Sequence, residues 1–441
     1  MRTALIFILL LITFSLNSQS QDSENNDFDK WTLEECINHA LINNIEIRQT
    51  EVTEKLASED VELRKQAFAP SISASTNQEY RYDNLIGGNG RNNYNASYNI
   101  NFNMTIFEGG RLIYTKKQAE AVKNRAIANI DNQKEIIKSK ILRAYLQILL
   151  DNELVDNNKK IFELSTSEYE RAKAMYEIGK ISKSSLAQVA TQWSNNKYNL
   201  SKSRNILRTD ILELKQILEL DISTNFDIEI PTITDEEVLV PLPDMIDIYH
   251  TAISVLPKIQ MAKLNIKESE IDKHIAQAYW MPTITFNGGI GTNYALGEVP
   301  LNEQFKSNIA PNIGLSINIP IYDRRVAKTT VNKAKYEIES NKLNYQLIDK
   351  EISKEVEILY IEALNNQENF LTAREKLNYA LESYKLVSEQ FNIGTKNAIE
   401  MLTEEKNLFQ AAEEVSTCKY QAIISIQLLN ILQNKEIKIG E

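Results

Sequence analysis

The sequence predicts an α+β membrane protein: a long α-helical coiled-coil barrel joined to a transmembrane β-barrel, to which each chain gives four strands. Three observations carry this expectation. Between residues 94 and 106, Tyr94, Ala96, Tyr98, Ile100, Phe102, Met104 and Ile106 alternate with Asn95, Ser97, Asn99, Asn101, Asn103 and Thr105. A period of two sorts the sets onto opposite strand faces, one suited to hydrocarbon and one to water. Neither Gly nor Pro occurs in 111–178, 180–230, 321–393 or 395–439, and runs so free of breakers mean long helices. Lastly, the order helix, strand, strand, long helix, helix occurs twice, which marks a duplicated half and not a solenoid unit.

The N-terminal 20 residues read as a signal peptide, with Arg2, an apolar core from Ala4 to Leu16 and the small-residue end Ser18-Gln19-Ser20. Cleavage is expected near Gln21. No later segment reaches the ~20 apolar residues of a membrane-spanning helix, so a membrane would have to be crossed by strands. A net charge of −11 argues against nucleic acid as a partner, because phosphate binding needs clustered Lys and Arg. Cys36 and Cys418 are the only cysteines, too few for a disulfide framework. They read as small apolar packing residues, with a bridge between the first and last helices left open.

The first repeat spans 21–220. Thr32 and Glu35 have capping-box spacing at the start of a helix that is expected to run to about Ala69 and stop at Pro70. Strands follow at about 71–85 and 94–107, joined by a loop rich in glycine at 87–90. A ~70-residue helix then leads to Gly179, roughly 100 Å away, and a further helix runs to about Leu220. Residues 221–243, with Pro231, Pro241 and Pro243, form an irregular linker. The second repeat, 244–441, places a helix at 244–278, strands at about 283–296 and 309–322, a ~70-residue helix to Ile393, and a last helix from beyond Gly394 to about Gln433. Pro70 pairs with Pro282, Phe107 with Tyr322 and Gly179 with Gly394.

Four strands cannot stand alone in a bilayer, because both edges would present unpaired backbone groups to hydrocarbon. Closure needs at least ~8 strands; three chains would supply twelve. The helices carry apolar residues three and four apart, such as Ile130, Ile137, Ile141, Ala144 and Ile148, or Ile352, Val356, Leu359 and Ala363. Such seams suit coiled-coil packing on either side.

The mature chain resembles the TolC-like outer-membrane efflux proteins across essentially its whole length. Ile-Phe-Glu-Gly-Gly-Arg (106–111) and Pro-Ile-Tyr-Asp (320–323) are similar to that family's strand-to-helix junction, with Gly109, Gly110 and Pro320 as the junction residues; the second copy has Arg324-Arg325 in place of the glycines. Leu256-Pro257 is similar to a helix-start motif from which Asn44-Ile45 departs. Tyr176-Glu-Ile-Gly179 and Phe391-Asn-Ile-Gly394 resemble the hairpin tips. The resemblance implies a homotrimer with twelve strands in the outer membrane and a twelve-helix periplasmic tunnel. Its implied partners are a periplasmic adaptor protein, an inner-membrane pump of RND or ABC type, and outer-membrane lipid.

Gly179, Gly394 and Lys396 then mark the tip where an adaptor docks. Glu400 matches the family's acidic constriction position, Thr403 stands where a second acid is usual, and Ser184 and Ser185 stand where a hydroxyl and an acid brace the closed state. Three Glu400 carboxylates around an axis would favour cations. Tyr80, Tyr82, Tyr94, Tyr98 and Tyr294 near the loops, and Phe107, Trp280 and Tyr322 near the helices, fit two interfacial aromatic belts.

No catalytic constellation is present. His39, His250 and His274 stand singly, and there is no metal-spaced His or Cys pair and no phosphate loop. Gly288-Gly-Ile-Gly291 lies inside an alternating strand and reads as close backbone packing. The expected role is a passive duct for small molecules without a cofactor. A duct for a secreted polypeptide is the alternative within the fold, and a soluble periplasmic coiled-coil scaffold the alternative outside it. The scaffold would leave four apolar strand faces exposed.

Overall fold

The first helix begins as its residues dictate. Thr32 Oγ1 accepts from the Glu35 N–H at 3.2 Å, while Glu35 Oε2 accepts from the Thr32 N–H at 2.9 Å, closing a capping box. The structure, a computed structural model, describes residues 30–83, 91–295 and 300–440. The signal-peptide segment 1–20, the loop glycines Gly87, Gly88 and Gly90, and Gly297 lie outside the described residues.

Along the first half come β1 (Lys30–Trp31), α1 (Leu33–Asn43), α2 (Ile45–Gln66), β2 (Ser71–Asp83), β3 (Arg91–Glu108), α3 (Arg111–Glu177) and α4 (Lys183–Ile217). After β4 (Asp227–Ile228) and α5 (Asp235–Val238), the second half adds α6 (Met245–Val255), α7 (Pro257–Ala278), β5 (Thr283–Ala295), α8 (Leu301–Ser307), β6 (Ala310–Asn318), α9 (Val326–Ile393) and α10 (Ala398–Leu432). At 1.5 Å per residue, α3 and α9 each run for about 100 Å.

Two helices expected to be continuous are broken, at matching places. Asn44 ends α1 and caps α2 with φ −61° and ψ 129°; Leu256 does the same between α6 and α7 with φ −64° and ψ 128°. The causes differ. Asn44 Oδ1 accepts from the Glu46 and Ile47 N–H groups at 3.0 and 3.4 Å, and its amide donates to the Ile217 carbonyl at 3.0 Å. At Leu256, Pro257 removes a donor and holds the preceding residue extended. The departure of Asn44-Ile45 from the motif is therefore one of chemistry and not of conformation.

The linker is less irregular than expected. β4 pairs in parallel with β1, and Tyr145, buried in the middle of α3, donates to the Glu229 carbonyl at 2.6 Å. Around it lie Ile137, Ile141, Leu142, Leu146 and Leu149, the heart of the apolar core. Cys36 is buried there, and both cysteines are free thiols; burial pushes the Cys36 thiol up to about 12. α8 occupies what was expected to be loop.

β2, β3, β5 and β6 form one antiparallel sheet in that order. β6 ends at Asn318, short of the expected Tyr322. Its ladder partner begins at Thr283, directly after Pro282, and Pro320 could not donate to a continued ladder. A bulge between Thr105 and Phe107 shifts the β3–β5 register, and the local twist rises at such points. Gly289 and Gly291 lie where β3 crowds β5. A Cβ on Gly289 would meet the Ile100 carbonyl at 2.9 Å, so this glycine serves close backbone approach, whereas one on Gly291 would meet the Asn99 side chain.

Candidate functional site

The long helices hold two sites apart, one at each end. At the sheet end, the chain turns from β3 into α3 through two left-handed residues, Gly109 (φ +58°) and Gly110 (φ +80°). Gly109 is also sterically required, since a Cβ there would fall 2.5 Å from the Met281 Cβ. The second repeat makes the same turn without glycine, with Arg324 at φ +51° and Arg325 at φ +72°. Asp323 supports it, accepting from the Arg325 N–H at 2.9 Å and the Ala327 N–H at 2.6 Å. Glu108, which precedes the glycines as Asp323 precedes the arginines, instead pairs with Arg111. Pro320 lies just beyond β6 in non-strand backbone.

On the sheet, aromatic side chains gather at two levels. Tyr80 faces Tyr94 across the β2–β3 ladder, and the Tyr94 and Tyr294 rings lie 6.0 Å apart. Phe107, Trp280 and Tyr322 are exposed at the helix side. Ile72, Ile100, Ile313, Leu315 and Ile317 are exposed between these levels. An apolar sheet surface of this extent is unlike a water-facing one.

The helical tips are built alike. Gly179 (φ +75°) and Gly394 (φ +86°) end α3 and α9, with Lys180 N–H bonded to the Met175 carbonyl at 2.8 Å and Thr395 N–H to the Gln390 carbonyl at 3.0 Å. These are Schellman closures, in which a left-handed residue lets the chain satisfy the last carbonyls. A Cβ on either glycine would meet nothing within 4 Å, so both turns face open space. Beneath them Ala172, Val189, Phe391, Ala398 and Met401 pack the four helices together, and Arg171 donates to the Asn392 side chain at 2.9 Å.

Each candidate tip residue has a place. Ser182 caps α4 by accepting from the Ser185 N–H at 3.1 Å, so Ser185 belongs to the cap. Ser184 and Thr403 line one shallow groove of about 630 Å³ between α4 and α10. The Thr403 hydroxyl donates to the Ile399 carbonyl at 2.8 Å. Glu400 is more occupied than its sequence suggests. It is the third helical residue of a capping box with Asn397, accepting from the Asn397 N–H at 3.0 Å. Lys396 Nζ lies 2.5 Å from its Oε1. The Lys396 bond and the Asn397 N–H hold the Glu400 carboxyl below the usual glutamate range.

One group of residues escaped the sequence reading. Glu168 on α3, Asn196 on α4, Tyr384 on α9 and Glu405 on α10 are all buried and meet below the tips. Tyr384 donates to Glu168, and Asn196 Nδ2 donates to Glu405 Oε1 at 3.0 Å. The signal was present: Ala398, Met401, Glu405 and Leu408 follow the three-four spacing of an apolar seam, and Glu405 is its one acid.

Known proteins share both the fold and, more distantly, the sequence. The TolC outer membrane protein of Salmonella enteritidis is 17% identical over 433 residues, covering 96% of this chain and 84% of its own length. The toluene efflux pump outer membrane protein TtgC of Pseudomonas putida is 19% identical over 387 residues, covering 86% and 78%. Among solved structures, CusC superposes with a TM-score of 0.81 at 16% identity, covering 96% of both chains. The CmeC outer membrane channel of Campylobacter jejuni gives 0.77 at 15%, covering 98% of this chain and 92% of its own. The family model described as outer membrane efflux protein matches residues 36–219 and 248–432, two blocks that follow the two repeats. The chain therefore belongs to the outer membrane efflux protein family and is a TolC-like protein of the outer membrane.

Proposed function

We propose that the protein is the outer-membrane exit duct of a tripartite efflux pump, passing small molecules across the periplasm and outer membrane. The observation that carries this reading is the sheet: β2 and β6 each have one ladder neighbour among the described strands, at the end of helices about 100 Å long. Two open edges cannot face lipid. In a homotrimer, β6 of one chain pairs with β2 of the next, closing twelve strands. The helices of three chains complete a tunnel, and Gly179, Gly394 and Lys396 meet a periplasmic adaptor that links the duct to an inner-membrane pump. A relative named for toluene efflux and another named for antibiotic efflux support small-molecule cargo. The pump supplies the energy, so the duct itself needs no catalytic group.

Light scattering on detergent-extracted protein, corrected for bound detergent, is expected to give the mass of three chains, and planar bilayers are expected to show discrete conductance. A monomer released without detergent would refute the duct and return the coiled-coil scaffold.

A further inference from the structure

Glu168 and Glu405 each stand eleven residues from a turn glycine, about 16 Å along the helix, in a closed polar cluster to which all four tip helices contribute. Glu168 is 5% exposed and Glu405 0%. Each carboxyl has one oxygen with a named donor: Tyr384 for Glu168, Asn196 for Glu405. The second oxygens, Glu168 Oε2 and Glu405 Oε2, have no donor among the described residues, although the two carboxyls lie within hydrogen-bonding reach of each other. Buried polar atoms rarely stand without partners, and two ionised carboxylates in contact repel strongly in a poorly solvated site. One proton between them resolves both problems, since a protonated carboxyl is a donor as well as an acceptor.

We infer that Glu168 and Glu405 form a proton-binding site whose single shared proton ties α3, α4, α9 and α10 together beneath the tip, so that the tip loosens as the site loses its proton. This regulation rests on the duct reading for its purpose but not for its chemistry. The groups facing the pair are Arg171 on α3, Tyr384 on α9 with the Ser388 hydroxyl behind it, and the neutral Asn196 on α4. Tyr384 and Arg171 favour charge on Glu168, so Glu405 carries the proton and donates it toward Glu168. Desolvation first, and the Glu168 charge second, push Glu405 up to about 8.

The direction follows by linkage. A carboxyl with a raised pKa in the closed tip stabilises that state fully below its ordinary value, and the advantage is lost as pH rises toward the raised one. Opening is therefore expected to increase roughly tenfold per pH unit between about 5 and 8 and to level off above.

Amide hydrogen exchange on the detergent-purified full chain tests this. After correction for chemical exchange rates, peptides covering 165–200 and 380–410 are expected to lose protection over that pH range at about that slope. In Glu405→Gln, whose amide keeps a donor toward Glu168 without a titrating proton, protection is expected to be flat with pH. Glu168→Gln provides a second variant should the first fail to fold; it keeps Glu405 buried but removes the neighbouring charge, so its loss of protection is expected to level off at a lower pH than in the parent. A carbonyl stretching band of a protonated carboxyl in the parent-minus-Glu405→Gln difference spectrum at neutral pH reads the proton directly, since any contribution of Asp151 is common to both proteins. Asp151, pushed up to about 7 by burial and by Asp210, lies outside both peptide windows. Identical pH profiles in parent and variants, or no protonated-carboxyl band in the difference spectrum, overturn the inference. A protein that shows the profile but conducts nothing overturns the duct reading alone.

Discussion

Glu400 serves the helix before it can serve a pore. Its carboxyl accepts from Asn397 and from Lys396, and both interactions favour the charged form. A depressed pKa means that the charge survives further into acid than that of an ordinary glutamate. Cation preference arising from Glu400 is therefore expected to persist as the pH falls through the usual glutamate range. Glu400→Gln keeps the third capping residue competent and removes only the charge. Single-channel reversal potentials under a salt gradient are expected to shift toward non-selectivity in this variant, without loss of thermal stability. Unchanged reversal potentials would assign Glu400 to the cap alone. At the junction, Arg324 and Arg325 hold a left-handed geometry that costs a residue with a Cβ about 1 kcal/mol. Arg325→Gly is expected to raise protomer stability by about 0.5–1 kcal/mol, read as a higher melting midpoint in detergent. Gly109→Ala, with Met281 in the way, is expected to lower it by more.

At the level of elements, α2 and α9 bury one face in the protomer and leave another apolar face bare. Ile45, Val52, Leu56 and Leu63 of α2 are exposed at spacings of seven, four and seven, and Leu343, Leu347, Ile358, Ile361 and Leu364 are exposed along α9. Heptad spacing on an uncovered face is the pattern of a helix seam awaiting its partner. Leu56→Glu is expected to leave the protomer folded, because the side chain touches water there. It should weaken assembly by about 2 kcal/mol for each seam that loses a buried leucine, measured as trimer dissociation on native gels. Much of this was legible from the chain: period two gave the strands, breaker-free runs gave the long helices, and glycines gave the tips. The breaks at Asn44 and Leu256 were harder. A Pro at the first turn of a helix and an Asn inside an apolar pattern are compatible with either continuation or a cap, and the choice lay with the Ile217 carbonyl far along the chain. α8 was hidden for a similar reason, since Gln304 ties it to the backbone of Ala295 only after folding.

Over the whole molecule, the least legible feature was the buried cluster at Glu168 and Glu405. Each acid sits in a helix dense with exposed acids, and only the assembly of four helices distinguishes these two from the rest. The tip thus combines exposed turns, which the proposed duct would present to its adaptor, with a polar lock a few turns below them. The long helices connect this lock to a sheet whose geometry is set independently by Pro282, Pro320 and the two left-handed turns.

The sheet order has a further consequence. Within the chain, β3 of the first repeat pairs antiparallel with β5 of the second, the closing strand of one hairpin against the opening strand of the next. In the proposed ring, β6 meets the following chain's β2 in the same relation. The barrel is then six hairpins joined by six seams of one kind, alternately within and between chains. Residues 221–243 are all that makes half of those seams intramolecular, so the proposed trimer would be in effect a hexameric ring of half-chains with every second joint covalently secured.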